Sequence, residues 1–304
     1  MEKYYSNGKL LITGEYVVLD GALSLAIPTQ FGQSLIVEPI DQAQLLWKSI
    51  DEKGNCWFET EIKSSDIDNL DVENSNDIAK RLLDILKVAK KLNLSFLEKT
   101  QGFKITTKLD FKKDWGLGTS STLISNIAQW AKIDPYTLLK MTFGGSGYDI
   151  ACAQHDNPIT YQIKHNQPIV NEVSFNPTFH EHLYFIYLNK KQNSREGIAQ
   201  YRLNPTNKNI PINEINAITK DMISCNSLSE FESLLTNHEL IVSQLINQDP
   251  IKERYFNDFN GSIKSLGAWG GDFILATSQY NPESYFKNRG FETIIPFQEM
   301  ILKN

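Results

Sequence analysis

The chain has 304 residues, of which 41% are hydrophobic and 22% are charged, and its formal net charge is −6. This composition is typical of a globular protein that can bury a substantial core, in one large domain or, as we expect, two. The negative charge argues against a nucleic-acid binder, although a small anionic substrate needs only a local basic site.

The cysteine pattern and the hydropathy pattern both indicate a cytoplasmic protein. The chain contains three widely spaced cysteines, Cys56, Cys152 and Cys225. An odd number without a CxxC pair favours a reducing compartment and argues against a disulfide framework or a cysteine metal site. Glu15 and Asp20 interrupt the apolar residues 10–27, so we expect neither a secretory signal nor a membrane partner.

The first hundred residues predict strands and one amphipathic helix. Residues 1–38 alternate short β-rich runs with glycines, which indicates strands joined by tight turns. Two more strands are predicted at 44–49 and 56–60, and a polar loop is predicted at 64–76. A helix follows over about 78–92, since its apolar residues repeat at helical spacing.

A strand is predicted at 102–110. It is followed by a glycine loop, in which Gly116 and Gly118 precede four consecutive hydroxyl residues. Apolar residues after the loop repeat at helical spacing, so a helix is predicted over 119–132 with the hydroxyls at its N-terminus. Unpaired amides and the helix dipole favour a phosphate there, and glycines let it approach closely. An ordinary capped turn is the alternative reading of this stretch.

A short helix is predicted from Pro135 to about 142, with Asp134 as its N-cap. A second glycine-rich turn, residues 143–147, enters an apolar segment. We predict a strand at 158–163 and place a domain boundary in the polar, proline-containing residues 164–181.

The second half mixes strands and helices without a regular βαβ rhythm, so an α+β fold is more plausible than a doubly wound sheet. Strands are predicted at 183–188 and after a glycine turn at 267–272, with helices at 212–224 and 228–247. A basic turn contains Lys190, Lys191 and Arg195, and it is either a solvated loop or a contact for a substrate phosphate. None of the five histidines has metal-ligand spacing.

Four segments, in this order, resemble the motifs of the GHMP kinases, the superfamily of galactokinase, homoserine kinase, mevalonate kinase and phosphomevalonate kinase. The four segments are Gly8 to Tyr16, Gly116 to Ser121, Ser146 to Asp149, and Lys264 to Asp272. Each is weak alone, but their order and spacing over nearly the whole chain make the set specific. The sequence Gly147-Tyr148-Asp149-Ile150-Ala151 also resembles a subgroup called GYDIA-type GHMP kinases.

The resemblance implies an α+β protein with the two-domain GHMP kinase fold. An N-terminal ATP-binding domain, residues 1–172, would contain a mixed sheet with helices. A C-terminal domain, residues 173–304, would be a ferredoxin-like α/β sandwich. The implied activity is transfer of the γ-phosphoryl group of ATP, with Mg²⁺, to a mevalonate or phosphomevalonate acceptor. The implied protein is a monomer or homodimer without nucleic-acid partners.

The resemblance also assigns roles to residues. Asp149 would be the catalytic base and Lys9 its cationic partner, while Ser120 would bind Mg²⁺. The nucleotide phosphates would be bound by Gly116, Leu117, Gly118, Thr119, Ser120 and Ser121. The acceptor would be bound by Glu15, Tyr16, Ser146, Gly147, Gly267, Gly270, Gly271 and Asp272. Tyr16 and Asp272 favour the mevalonate branch of the superfamily.

Two departures from the motifs leave other functions open. Mevalonate kinases have a glutamate ligand for magnesium eleven residues before the catalytic aspartate, and Leu138 occupies that position. Trp269 interrupts the late glycine run and would narrow the acceptor pocket. The alternatives are therefore a nucleotide- or metabolite-binding protein without turnover, and a decarboxylase acting on a phosphorylated mevalonate.

Overall fold

The structure is a computed structural model that describes residues 1–65, 67, 77–98, 100, 102–192, 194–204 and 208–303, apart from the side chains of residues 194 and 195. Contacts divide the chain into two compact units that alternate along the sequence. The first unit comprises Met1–Gly8, Phe31–Lys113 and Gly118–Gln154, and the second comprises Lys9–Gln30, Asp114–Leu117 and His155–Asn304. The predicted domain limits, 1–172 and 173–304, stay a prediction.

Eleven strands lie in the described part of the chain. They are β1 (Glu2–Leu11), β2 (Ser24–Ile40), β3 (Gln44–Ile50), β4 (Cys56–Lys63), β5 (Gly102–Leu109), β6 (Ile159–Lys164), β7 (Gln167–Glu172), β8 (Leu183–Tyr187), β9 (Ile263–Ser265), β10 (Phe273–Thr277) and β11 (Ile294–Pro296).

The described residues also form ten α-helices and two short 3₁₀ helices. The α-helices are α1 (Asp77–Leu92), α2 (Thr119–Ala131), α3 (Pro135–Thr142), α4 (Tyr148–Gln154), α5 (Ser194–Leu203), α6 (Asn209–Ser224), α7 (Leu228–Ile246), α8 (Ile251–Tyr255), α9 (Glu283–Lys287) and α10 (Phe297–Met300). The 3₁₀ helices are Val17–Asp20 and His180–His182.

The first unit packs helices on a mixed sheet. Its strands run in the order β4-β3-β5-β2, with β3 and β5 parallel and the other neighbours antiparallel. Helix α1 buries one apolar face, as its spacing predicted, and α2 packs against α1, α3 and α4. The buried residues form one apolar core that includes Trp47, Leu86, Ile127 and Leu138. This core fixes the N-termini of α2 and α4 within one rigid layer of helices.

The second unit contains an antiparallel sheet in the order β11-β8-β10-β9. Numbered along the chain, these four strands lie in the order 4-1-3-2, and helices α5–α8 and α9 occupy the two β–α–β connections. This is the split βαβ arrangement of a ferredoxin-like domain, so the predicted α+β class and ferredoxin-like sandwich are confirmed. In the same unit the first residues of β2 pair with β6, and β6 pairs with β7.

Most predicted elements are confirmed to within a few residues, one is wrong, and one strand was not predicted. Residues 17–20 form a 3₁₀ helix that ends at Gly21, which has a left-handed φ of 89°, and they do not form a strand. Strand β7 lies within residues 164–181, where we placed the domain boundary and predicted no strand. Its hairpin turn, His165-Asn166, has φ values of 51° and 60°, the combination of a type I′ turn, which an Asn-Gly pair would have signalled more clearly. The loop predicted at 64–76 lies mostly outside the described residues.

The predicted cap of α3 gives a test of the local structure. The Asp134 carboxylate accepts hydrogen bonds from Thr137 N at 2.8 Å and Thr137 Oγ1 at 2.6 Å. We expect Asp134→Ala to lower the free energy of unfolding by about 1 kcal/mol, because it leaves a helix amide without an acceptor. Urea unfolding measures this change. The control is Asp41→Ala at an exposed bend; an equal loss in both variants would contradict the cap.

Candidate functional site

In the first unit, helix α2 begins at a glycine in the left-handed region. Gly118 is the N-cap with φ 98°, and no side chain caps the helix. Ser121 Oγ donates to Gly118 O at 2.8 Å, and Thr122 Oγ1 donates to Gln33 Oε1 at 2.7 Å. Both of these side chains are buried, whereas Ser120 is exposed. The hydroxyls of Ser121 and Thr122 therefore hold the loop together, while that of Ser120 faces solvent beside helix amides that have no intrahelical acceptor.

Asp149 lies in the first turn of α4, which packs against α2 within the same unit. Its side chain is half-buried, and Oδ1 accepts a hydrogen bond from Ile150 N at 3.1 Å. Burial raises the pKa of Tyr136, and the nearby carboxylates of Asp134 and Asp149 raise it further. Gly147, immediately before α4, has φ 88°. Asp149 is thus a partly accessible carboxylate at a helix N-terminus, where the dipole stabilises its negative charge.

Leu138 is fully buried in the apolar core of the first unit, together with Ile150. The position at which the resemblance implies a glutamate ligand is therefore occupied by a packing residue. Within the described part of the chain, no group of three or more His, Cys, Asp or Glu residues could hold a metal ion. A divalent cation at this position would need other ligands, such as water and phosphate oxygens.

The second unit brings three sequence motifs together around Lys9. Lys9 Nζ donates to Gly116 O at 3.0 Å, and Lys9 N donates to Leu117 O at 3.0 Å. A Cβ atom added to Gly116, which has φ 71°, would lie 2.4 Å from Asp272 Cγ. Burial raises the pKa of Asp272, and the ammonium of Lys9 opposes this shift. Gly116 therefore has to be glycine both for its conformation and for the close approach of the Asp272 carboxylate.

The late glycine motif forms the loop between β9 and β10. Gly267, Trp269, Gly270 and Asp272 all have positive φ, with 55° at Trp269. A bulky residue rarely adopts this conformation, so Trp269 is a strained position. Its indole is 1% exposed, and no described residue accepts a hydrogen bond from Nε1.

Two sets of contacts hold this loop within the second unit. At one end, Asp272 N donates to Lys190 O at 2.7 Å, and Gln192 N donates to Asp272 Oδ1 at 3.2 Å. Near the other end, Tyr16 Oη donates to Ala268 O at 2.8 Å. Tyr16 has φ 64° and stacks on another tyrosine, Tyr201, at 5.7 Å between ring centroids. The basic turn thus packs on the glycine motif; Lys190 and Lys191 are exposed, and the side chain of Arg195 lies outside the described part.

Glu15 is enclosed, with its side chain 0% exposed, and it forms an ion pair with the equally buried Lys264. Its Oε2 lies 3.4 Å from Nε2 of the buried His238. Burial raises the pKa of Glu15 to about 7, and the Lys264 ammonium opposes the shift. Burial also lowers the pKa of His238 well below its ordinary value, so the ring is neutral and accepts a hydrogen bond from Gly14 N at 2.9 Å. The carboxylate of Glu15 is thus bound internally, which favours a supporting role over a substrate contact.

Three residues of this buried cluster were not predicted as part of a site: Lys264, His238 and Glu239. A signal for two of them was present, because His238 and Glu239 fall on the apolar stripe of α7 beside Leu235 and Val242. Polar residues on a buried stripe are unusual unless they are paired. The ion pair itself could not be predicted, since Glu15 and Lys264 are 249 positions apart in the chain.

Solved structures share this fold over nearly the whole chain. No family model and no curated protein matches the sequence. The mevalonate kinase of Methanococcus jannaschii is similar with a TM-score of 0.71 at 16% identity, covering 100% of this chain and 98% of that one. The Streptococcus pneumoniae phosphomevalonate kinase, in complex with phosphomevalonate and AMPPNP, has a TM-score of 0.68 at 16% identity, covering 95% and 96%. The chain has the GHMP kinase fold. A mevalonate diphosphate decarboxylase from Legionella pneumophila is also similar, with a TM-score of 0.57 at 12% identity over 96% and 99% of the two chains.

The GHMP kinase fold confirms the architecture implied by the four motifs, while the roles of individual residues stay predictions. The first unit contains Gly118, Thr119, Ser120, Ser121, Ser146, Gly147 and Asp149, and the second contains Lys9, Glu15, Tyr16, Gly116, Leu117, Gly267, Gly270, Gly271 and Asp272. No helix in the described ranges is long and apolar enough to cross a membrane.

Because Asp272 lies close to Gly116, we predict that a methyl group at residue 116 strongly destabilises the folded protein. We expect Gly116→Ala to lower the free energy of unfolding by about 3 kcal/mol, because strain at positive φ adds to a steric clash. Gly290→Ala is the matched control: Gly290 has φ 84° and open space around it, so the loss should be about 1 kcal/mol. Equal losses in urea unfolding would contradict the close approach.

The burial of Glu15 predicts a carboxyl group that titrates near pH 7. Because its folded pKa lies above its unfolded value, this group contributes stability below about pH 4.5 that is lost as the pH rises through 7. In ¹³C NMR of glutamate-labelled protein, one carboxyl resonance should titrate near pH 7 and be absent in Glu15→Gln. Glu283, exposed and paired with Lys287, is the reference, since its pKa is lowered. A spectrum in which every glutamate titrates below pH 5 would contradict this prediction.

Proposed function

We propose that the protein is an ATP-dependent small-molecule kinase that transfers the γ-phosphoryl group to a hydroxyl or phosphate of a mevalonate-type acceptor. The observation that carries the proposal is the fold shared, over nearly the full length, with a mevalonate kinase and with a phosphomevalonate kinase. The four sequence motifs lie along that same length, and their residues include a helix N-terminus, a carboxylate and a lysine that suit phosphoryl transfer.

The proposed nucleotide contacts are the loop Gly116–Ser121 and the first turn of α2. Gly118 is in the left-handed region and no side chain caps α2, so the unpaired amides of its first turn favour phosphate oxygens. Ser121 and Thr122 support this loop internally. The neighbour solved with phosphomevalonate and AMPPNP supports ATP as the donor.

The proposed chemistry also requires Mg²⁺. The residues fit such an ion only in part: the exposed Ser120 hydroxyl would hold it, and Leu138 offers no ligand. Magnesium usually keeps several waters and relies on substrate phosphates, which is compatible with this sparse protein contribution. When bound, the ion would neutralise charge on the phosphate oxygens.

Asp149 and Lys9 are the proposed catalytic residues. Asp149 would accept the proton of the acceptor hydroxyl as the oxygen–phosphorus bond forms and the bond between the γ-phosphorus and the bridging oxygen breaks, which releases ADP. Lys9 would stabilise the negative charge that develops. Ser146 and Gly147 with the loop residues Gly267, Gly270, Gly271 and Asp272 are the proposed acceptor contacts, together with Tyr16. The buried Glu15 would support this loop through its ion pair with Lys264.

The proposal predicts acceptor-dependent ADP formation that requires Asp149. We expect Asp149→Asn to lower kcat at least about 100-fold, since the amide cannot accept the proton. Coupled ADP detection with mevalonate, phosphomevalonate, homoserine and galactose measures this. The control is Asp134→Asn, which keeps an N-cap in the same unit and should retain wild-type turnover. No turnover with any of the four acceptors would contradict the kinase proposal.

Two alternatives have specific support. The likeness to a mevalonate diphosphate decarboxylase supports decarboxylation of a phosphorylated mevalonate, which release of CO₂ would reveal. Leu138 and Trp269 support a protein that binds a nucleotide or metabolite without turnover. Calorimetry that detects ATP binding, in a protein that forms no product from any acceptor, would favour this last function.

A further inference from the structure

The second unit buries four titratable side chains that the proposed chemistry does not use directly. Glu15, His238, Glu239 and Lys264, here called the buried network, are each at most 2% exposed. Burying charges is costly, and a buried ion pair is often no more stable than an apolar pair of the same volume. Stability alone therefore does not explain why polar residues occupy these four positions.

The network holds the residue directly before the late glycine loop. Lys264 Nζ donates to Ser265 O at 2.8 Å. Ser265 N donates to the Glu239 carboxylate at 3.0 Å, and Ser265 Oγ donates to it at 2.7 Å. All three polar groups of Ser265 are thus bound by charged partners, which fixes the point at which β9 ends and the loop begins.

The same network holds the turn that follows β1. His238 accepts a hydrogen bond from Gly14 N, and Glu15 pairs with Lys264. The next residue, Tyr16, donates its hydroxyl proton to Ala268 O inside the glycine loop. The turn at residues 14–16 and the loop at 267–272 are therefore joined at both the ion pair and the tyrosine.

We propose that Glu15, Lys264, His238 and Glu239 are positioning residues, which lock the loop 267–272 to the turn 14–16 so that its backbone presents a fixed surface to the acceptor. This inference rests on the proposed function, and it replaces a direct contact between Glu15 and the substrate. Charged partners suit this task, because an ion pair and its hydrogen bonds specify one geometry where apolar packing tolerates several.

The main test compares variants that lack one member of the ion pair with a variant that lacks both members. Glu15→Gln and Lys264→Met each leave one group buried without its partner, so each should lower Tm by on the order of 10 °C. The double variant Glu15→Gln/Lys264→Met removes both members of the pair, keeps Glu239 hydrogen-bonded to Ser265, and should recover part of this loss. If the pair positions the loop, the double variant should still have an acceptor KM raised about tenfold, with the KM for ATP within about twofold of wild type.

Hydrogen–deuterium exchange tests whether the loop 267–272 is held against the turn 14–16, and this measurement needs no turnover. The backbone amides of residues 266–272 and 14–16 should exchange at least about tenfold faster in the double variant than in wild type. A double variant that regains wild-type Tm, acceptor KM and amide exchange together would overturn the proposal, because the pair would then serve stability only.

Glu239→Gln gives a second test on a different element. Its amide group would face the donors of Ser265, so amide exchange in the loop should rise about tenfold. The matched control is Glu232→Gln on the same helix, where the carboxylate accepts from Thr277 Oγ1 at 2.6 Å, away from the loop. Faster loop exchange in Glu239→Gln alone supports the proposal, and equal exchange in both variants overturns it.

Absence of turnover with every acceptor in wild type would reject the kinase function, whereas loop exchange would still decide the positioning role.

Discussion

The ion pair between Glu15 and Lys264 is the interaction on which the packing around the late glycine loop of the second unit depends. It joins residues from the two ends of the chain inside a region that excludes water. An uncompensated charge there is costly, so the removal of either partner alone is expected to destabilise the unit. The neutral His238 and the carboxylate of Glu239 complete the arrangement, so that a strand end, a turn and a helix meet at one point.

In the first unit, the important electrostatic features are the N-termini of two helices. The glycine at the start of α2 leaves several amides directed away from the helix, and the neighbouring α4 begins with Asp149. Both features follow from backbone dipoles that the apolar core beneath them holds in place. The proposed phosphate contacts and the stabilised carboxylate of Asp149 thus belong to the same layer of helices, and the proposed phosphoryl transfer would use both.

The structure shows the surroundings of Leu138 and Trp269, the two residues that depart from the kinase motifs. Leu138 extends the apolar core, so the loss of a carboxylate at that position is accompanied by a gain in packing. Trp269 is fully buried in a conformation that favours glycine, and such strain persists only where the surroundings fix it. Under the proposed function, Trp269 would narrow the range of acceptors, and the absence of a carboxylate at Leu138 would leave a magnesium ion held largely by the nucleotide.

The sequence by itself determined the local elements and the order of the motifs. Periodic apolar residues predicted α1 and α2, Asp134 with Pro135 predicted the start of α3, and the glycine loops were placed correctly. Such features depend on residues a few positions apart, and short-range patterns therefore predict them. Tertiary structure alone decided that Glu15 pairs with Lys264, that Asp272 lies against Gly116, and that Ala268 is bound by Tyr16. These contacts join segments that are distant in the chain, and only the packing of the folded unit determines which charges lose their water and which partner each one then requires.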